Sequence, residues 1–458
     1  MAEAVLSPPD QVAYLRDAIK ALPPAEYDTY LKSLTEQEAA VLLYNWKFWG
    51  RRDQQTPVGD WFVWLALAGR GWGKTRTGAE WVHEVAEQHA GCMIALIGRI
   101  PKDVRRVMVE GESGILACAK PWFRPKWNKS LGILEWPNGS QAQCFSSEVP
   151  DDLRGPQFHF AWIDEWAKFR FPVDVWDMLM FALRLGRHPR VMVTTTPRPL
   201  ECLRTLMKDR NTHVTVGSTF DNAPNLPASF LRELKRKYEG TTLGAQELYA
   251  RLLEDTSGAL WSRALLDATR VKAVPKRPDG TPAIRRAVLG VDPSVTSGED
   301  SDDTGLVLDA LCEDGHAYVL EDFTGEGGFD KHAALVVDLW RNDRCDLIVG
   351  EVNNGGDLVE HTIRTVRDLE TDKPIGQFAP YKSVRATKGK LIRAEPVSML
   401  YQQKVVHHVG SFADLEDQMC TWVPHTGQKS PNNLDAHVWA MHELMVQPDP
   451  EVRIRSLR

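Results

Sequence analysis

AGRGWGKT, Ala68 to Thr75, follows the apolar run WFVWLAL (Trp61 to Leu67) and precedes TGAEWVHEVAEQ, a segment with helical spacing. Strand, glycine-rich turn, Lys-Thr and helix is the layout of a phosphate-binding loop. Gly71 and Gly73 let backbone N–H groups close around phosphate oxygens, and the helix N-terminus adds positive potential. In such a loop Lys74 reaches the β- and γ-phosphates and the Thr75 hydroxyl holds Mg2+. Ala68 stands where the usual GxxxxGK(S/T) pattern has its first glycine.

Binding a nucleotide is not hydrolysing it. FHFAWIDE adds what hydrolysis needs, because an apolar strand delivers Asp164 to its C-terminal edge beside the loop. Asp164 is placed to steady Mg2+, and Glu165 to orient and deprotonate an attacking water. An acid pair capping the next helix is the competing local reading. RVMVTTTPRP sets Thr194, Thr195 and Thr196 at the end of another apolar strand, where hydroxyls can sense the γ-phosphate. Arg70, inside the loop, and Arg154, before the Asp164 strand, are candidates for stabilising charge during phosphoryl transfer. Gln55, upstream of the first strand, is a candidate for hydrogen-bonding adenine.

The second half gathers acids. Asp292 ends the strand AVLGVDP, Glu351 ends LIVGEV, and Asp435 opens the last helix; Asp300, Asp302 and Asp303 lie in a turn after the first of these strands. Clustered carboxylates call for cations. Two Mg2+ or Mn2+ ions suit oxygen ligands and phosphodiester cleavage. The basic run YKSVRATKGKLIRAEP offers Lys382, Lys388, Lys390 and Arg393 for phosphate-backbone contacts, with a solvated charged face as the equal alternative.

Composition fits this layout. The chain has 458 residues, enough for two or three domains. Its 43% hydrophobic and 26% charged content are those of a globular protein. A formal net charge of −7 argues against non-specific coating of nucleic acid, though not against a local basic groove. Seven cysteines without CxxC spacing suggest reduced thiols in a cytosolic setting. No signal peptide and no membrane-spanning run is expected.

Residues 1–50 read as a helical N-terminal segment. Residues 51–255 alternate strands and helices, the α/β signature of a mostly parallel sheet. Residues 256–282 read as a linker. Residues 283–447 have the order strand–strand–strand–helix–strand–helix of a ribonuclease-H-like layer, and residues 448–458 read as a basic tail.

Taken together, LAGRGWGKTRTGAEW, LRGPQFHFAWIDEWAKF, VTTTPRP, GVDPS…DDTGL, EVNNGGDLV, RAEPVSMLY and SPNNLDAHVWA resemble the large terminase subunit of tailed double-stranded DNA bacteriophages. The resemblance covers about residues 40–445. It implies an N-terminal P-loop ATPase of the additional-strand (ASCE) class and a C-terminal RNase H-like nuclease. The ATPase drives DNA into the capsid, and the nuclease cuts the concatemer at initiation and termination. By the same resemblance Gln55 matches the adenine contact, Lys74 and Thr75 the Walker A pair, and Asp164 and Glu165 the Walker B acid and catalytic glutamate. Thr194 to Thr196 match the coupling motif, and Arg154 sits where some members place an arginine finger. Asp292, Glu351 and Asp435 match the nuclease metal ligands, joined by Asp302. Asn433 stands where some relatives show a second acid. ATP, Mg2+ for its hydrolysis and two Mg2+ or Mn2+ for cleavage are the implied cofactors. The implied partners are double-stranded DNA, the small terminase subunit and the portal of the procapsid. A homo-oligomer, a pentamer by family precedent, in the host cytoplasm at the portal vertex and absent from the mature virion, is implied as well. A helicase-type ATPase with a DNA-binding second domain and a capsid-docking scaffold are the alternatives.

Overall fold

β1 (Val63–Ala68) is buried along its whole length. Val63, Leu65 and Leu67 pack with Ile97, Ile163 and Val193 on one face. Trp64 and Ala66 pack with Leu96, Trp162 and Met192 on the other. A strand covered on both faces needs a continuous apolar run rather than an alternating one, which is the pattern of WFVWLAL. The computed structural model describes residues 19, 22–239, 242–252, 255–256, 258–293, 303–325, 328–351, 358–368, 371–385, 390–424 and 431–446. The chain divides into two units, Met1–Leu253 and Glu254–Arg458.

In the first unit β1 is joined by β2 (Met93–Gly98), β3 (Lys126–Asn128), β4 (Ile133–Glu135), β5 (Gln141–Ser146), β6 (Phe160–Asp164), β7 (Arg190–Thr195) and β8 (Thr212–Gly217). They form one sheet in the order β3-β4-β5-β2-β6-β7-β1-β8. β1, β2, β5, β6, β7 and β8 pair in parallel, while β3 and β4 add an antiparallel margin. β7 therefore stands between β6 and β1. Parallel neighbours end at the same sheet edge, and the register is close: Asp164 is level with Thr194, and Thr195 with Leu67. The turn after Ala68, the acids after β6 and the threonines after β7 thus share one edge.

α1 (Lys74–Gln88) follows the glycine turn. A Cβ on Gly78 would lie 2.1 Å from Cε2 of Trp162 on β6, so only glycine lets α1 seat this close to the sheet. Upstream, within the expected helical segment, the described residues form helices at Pro24–Ser33, Glu36–Leu43 and Trp46–Trp49, while residues 1–18 lie outside them. PKDVRRVMVE forms a short helical turn at Pro101–Asp103 followed by a π-helical Val104–Val109.

The second unit contains β9 (Ile284–Asp292), β10 (Gly305–Cys312), β11 (Ala317–Asp322), β12 (Leu347–Glu351), β13 (Tyr381–Val384) and β14 (Val406–His408). Their order is β13-β12-β9-β10-β11-β14. β9, β10 and β11 run antiparallel in sequence, and β12, β13 and β14 join in parallel. The sheet is mixed, and both units are α/β. The helices include α2 (Ala333–Arg341), α3 (Leu358–Thr365), α4 (Lys390–Gln402), α5 (Ala413–Thr421) and α6 (Asn432–Met441). α6 lies directly on the sheet. A Cβ on Gly290 of β9 would come within 1.9 Å of the Ala436 carbonyl, and one on Gly305 of β10 within 2.2 Å of the Asn432 carbonyl.

Residues 256–282 do not behave as a linker. Trp261 and Leu266 lie in the core of the second unit with Tyr401 and Leu434. Arg263, on the one-turn helix Arg263–Ala268, is buried against Glu416 and Asp417. The low periodicity of this stretch reflects a helix too short to show one, held by partners more than a hundred residues away. Asp300, Asp302 and the tail 448–458 lie outside the described residues. Among the described residues no helix is long and apolar enough to cross a membrane.

Candidate functional site

The glycine turn of the first unit is shaped from outside. Arg51 Nη2 donates to the Trp72 carbonyl at 2.8 Å, Gln54 Nε2 to the same carbonyl at 3.4 Å, and Asn222 Nδ2 to the Gly71 carbonyl at 2.7 Å. Trp72 is fully buried, and its indole donates to Asp53. Gly71 and Gly73 have φ of 78° and 105°, the left-handed region that favours glycine. With the carbonyls engaged outward, the N–H groups of Gly71, Gly73, Lys74 and Thr75 take no backbone carbonyl among the described residues. Unspent N–H groups at a helix start, with the helix dipole behind them, form an anion seat.

Lys74 is buried at the mouth of this seat. Its Nζ donates to the carbonyls of Ala68 (2.9 Å) and Gly69 (3.3 Å) and to Thr196 Oγ1 (3.2 Å), and lies 3.5 Å from Glu165 Oε1. Lys168 Nζ lies 3.5 Å from the other oxygen of Glu165. Glu165 adopts φ of 55°, which is uncommon for a residue with a side chain. This bend turns its carboxylate back toward Lys74, while its backbone N–H donates to the Thr194 carbonyl at 2.6 Å. Asp164 accepts from Thr194 Oγ1 at 2.6 Å, and Thr194 Oγ1 in turn accepts from the Trp162 indole at 2.9 Å.

The two acids are pushed apart in acidity. Burial raises the Asp164 carboxyl, reinforced by the charge of Glu165 and opposed by Thr194. Burial would raise Glu165 too, but Lys74 and Lys168 together hold it below its ordinary value, with help from Arg198. Glu165 is therefore the ionised partner, as a base that takes a proton from water must be.

Gln55 is not at the loop. Its Nε2 donates to the Trp46 carbonyl at 3.1 Å, and Gln54 faces the loop, reaching Thr77 Oγ1 at 3.1 Å. The tight turn Arg52–Gln54 ends between the two glutamines and sends their side chains in different directions. Arg70 is anchored by its backbone, through the Glu247 carbonyl and Thr219, and its side chain is exposed. Arg154 is exposed and paired with Asp151 at 2.9 Å. Neither arginine contacts Asp164 or Glu165 among the described residues. Arg51 and Gln54 lie outside the quoted motifs and Trp72 and Lys168 inside them, but the roles of all four emerge only from the fold.

In the second unit β9 and β12 are parallel neighbours, with Val291 level with Gly350, so Asp292 and Glu351 end side by side. α6 crosses β9 at Gly290 with Ala436 against it, which brings Asp435 to the same strand ends. Asp292, Glu351 and Asp435 are 8%, 2% and 5% exposed. Trp439 of α6 donates to Glu351 Oε2 at 2.8 Å, and Arg393 of α4 lies 3.5 Å from the same oxygen. Hard oxygen donors in a nearly dry site suit Mg2+ or Mn2+ in kind. Among the described residues no three acidic, histidine or cysteine side chains stand close enough together to hold an ion. Asn433 is occupied elsewhere, donating to Asp322 and accepting from Gln418. Lys382, a candidate for DNA contact, instead pairs with the buried Glu443 at 2.8 Å, beside Arg286.

Residues 65–268 match the family model described as terminase large subunit, T4likevirus-type, N-terminal. Over these residues the chain is similar to large terminase subunits. Among solved structures, the large terminase of a thermophilic bacteriophage in complex with ADP is similar at 14% identity and a TM-score of 0.41, covering 89% of this chain and 99% of that one. The HK97 bacteriophage large terminase gives 12% identity and a TM-score of 0.37 over 95% of this chain and 99% of that one. The ATPase domain of the Thermus phage P74-26 large terminase gives 16% and 0.34 over 42% of this chain and 88% of that one. At scores this low the structural likenesses carry no functional argument. A nucleoporin NDC1 from Chaetomium thermophilum is 30% identical over 144 residues, 27% of this chain. The chain spans only 20% of that relative's length, and nothing of that protein's activity is carried over.

Proposed function

We propose that the protein is a viral DNA-packaging motor. ATP hydrolysis in the first unit drives double-stranded DNA into a procapsid, and the second unit is a metal-dependent endonuclease that cuts concatemeric DNA. One observation carries the reading: Lys74, Asp164, Glu165 and Thr194–Thr196 converge on one sheet edge beside an anion seat, with β7 inserted between β6 and β1. That inserted strand supports the additional-strand class of P-loop ATPase. The order β11-β10-β9-β12-β13 supports an RNase H-like second unit.

ATP would place its phosphates on the N–H groups of Gly71, Gly73, Lys74 and Thr75. Lys74 then exchanges the Ala68 and Gly69 carbonyls for phosphate oxygens and loosens its hold on Glu165. Glu165, ionised, takes the proton of the attacking water. Thr196 loses the Lys74 contact in the same exchange, which gives the β7 end a readout of occupancy. Mg2+, when bound, neutralises phosphate charge, and Thr75 and Asp164 are the residues that would hold it. Gln54, rather than Gln55, is the glutamine that steadies the loop. Arg70 and Arg154, both exposed, suit charge stabilisation in a neighbouring copy of a ring. In the second unit Asp292, Glu351 and Asp435 are the residues that would hold Mg2+ or Mn2+, with Asp302 a further candidate. Such ions, when bound, activate water and stabilise the leaving oxygen.

The small terminase subunit, the portal of the procapsid and further copies of the chain are the partners this function requires, in the host cytoplasm. The direct test is ATP turnover by Lys74→Ala. Loss of turnover in a folded protein is expected, and full turnover would remove the loop assignment.

A further inference from the structure

Arg393 sits on α4 with its side chain only 8% exposed. Its guanidinium lies 4.2 Å from the ring centroid of Trp439, and Nη1 is 3.5 Å from Glu351 Oε2. Nε, Nη1 and Nη2 make no hydrogen bond among the described residues. Arg270, in the same unit, shows the ordinary use of such a group: it donates to Glu416 through Nη1 and Nη2 and to Asp267 through Nε. A buried guanidinium with its donors unspent is costly unless an anion compensates its charge. Glu351 is that anion, and Arg393 is its ion-pair partner among the described residues. The planar cation is held in place by the face of Trp439, which a lysine's compact ammonium does less well. Trp439 also donates to Glu351, so both side chains act on the same oxygen.

Asp292 and Glu351 end neighbouring strands, yet among the described residues no three acidic side chains are spaced as a metal cage. We infer that Arg393 is the standing counter-ion of Glu351: it neutralises this carboxylate, and a divalent ion must displace it to bind there. The inference rests on the nuclease reading of the second unit. It makes Arg393 a device that sets the metal concentration at which the site fills.

The test is Mn2+ binding to the full chain by calorimetry, without DNA or nucleotide. An opposite charge at this range shifts the proton affinity of a carboxylate by about one to three pH units, and competition for a cation at Glu351 acts in the same sense. Arg393→Gln should bind Mn2+ about tenfold more tightly than the wild type, and Arg393→Lys, which keeps the charge but is held less firmly, should tighten binding by clearly less. Arg393→Met fills the same slot against Trp439 and replaces the Gln variant if thermal melting shows that one misfolded. Equal or weaker binding by the charge-removing variants would overturn the inference, as would equal tightening by Arg393→Lys. Glu351→Gln is the separate control: if it binds Mn2+ like the wild type, the nuclease reading of these acids fails, whatever Arg393 does.

Discussion

Glu165 is held between two lysines, and the bend at its own backbone is what puts it there. Glu165→Gln keeps the shape and removes the base. Its ATP turnover should fall by about 10²-fold or more, with ATP affinity close to the wild type; matching losses in affinity would mean that Glu165 binds nucleotide rather than activating water. Gln54 and Gln55 offer a second test. Gln54→Ala removes hydrogen bonds to the Trp72 carbonyl and Thr77, an effect of about 1 kcal/mol, or several-fold in ATP KM. Gln55→Ala removes a bond to the Trp46 carbonyl, away from the loop, and should leave KM nearly unchanged; the reverse result would restore Gln55 as the nucleotide contact. Lys74, Asp164, Glu165 and the threonines were legible in the sequence because glycine spacing and strand ends fix their places. The choice between adjacent glutamines was not, because it turns on where a three-residue turn stops.

At the scale of elements, close helix–sheet approach governs both sites. Gly78 admits Trp162 against α1, and Trp162 supports Thr194 and through it Asp164. Gly78→Ala forces a Cβ into the indole ring, and a strained core of this kind costs about 1–3 kcal/mol. Urea unfolding should show that loss together with reduced ATP turnover; an unaltered midpoint would mean that α1 shifts without consequence. Alternating strands and helices gave away the parallel sheet, and the strand–strand–strand–helix order gave away the mixed one. The packed stretch 256–282 was not legible, because Arg263 is fixed by Glu416 and Asp417, far along the chain. Arg393 was visible only as one of several basic residues; its burial against Trp439 depends on how α4 meets α6.

At the scale of the whole molecule, the second unit carries a buried polar chain that makes its stability depend on pH. Asp309, His437, Tyr401, His408 and Glu416 are linked in sequence by contacts of 2.8–2.9 Å, ending on Arg270. Burial pushes His408 below its ordinary value, against the pull of Glu416. Burial would raise Glu416, but Arg270 and His408 hold it well below the usual carboxylate range. Both groups bind more protons unfolded than folded, so both stabilise at higher pH. Stability of this unit should fall as pH drops through about 6.5, where unfolded His408 protonates, and again below about 4.5, where unfolded Glu416 does. Glu416→Gln should flatten the second fall and cost about 3–5 kcal/mol at neutral pH by taking the buried carboxylate away from Arg270 and Arg263. A melting temperature flat from pH 7 to 4 would contradict this.

The proposed function gives the two units separate chemistries, and one measurement separates them. ATP turnover and Mn2+-dependent plasmid cleavage should be assayed on the same preparations of wild type, Lys74→Ala and Asp292→Ala. Lys74→Ala should lose turnover by about 10²-fold or more while still cutting naked DNA, and Asp292→Ala should lose cleavage while still hydrolysing ATP. Full ATP turnover in folded Lys74→Ala, or undiminished cleavage by Asp292→Ala free of contaminating nuclease, would contradict the account.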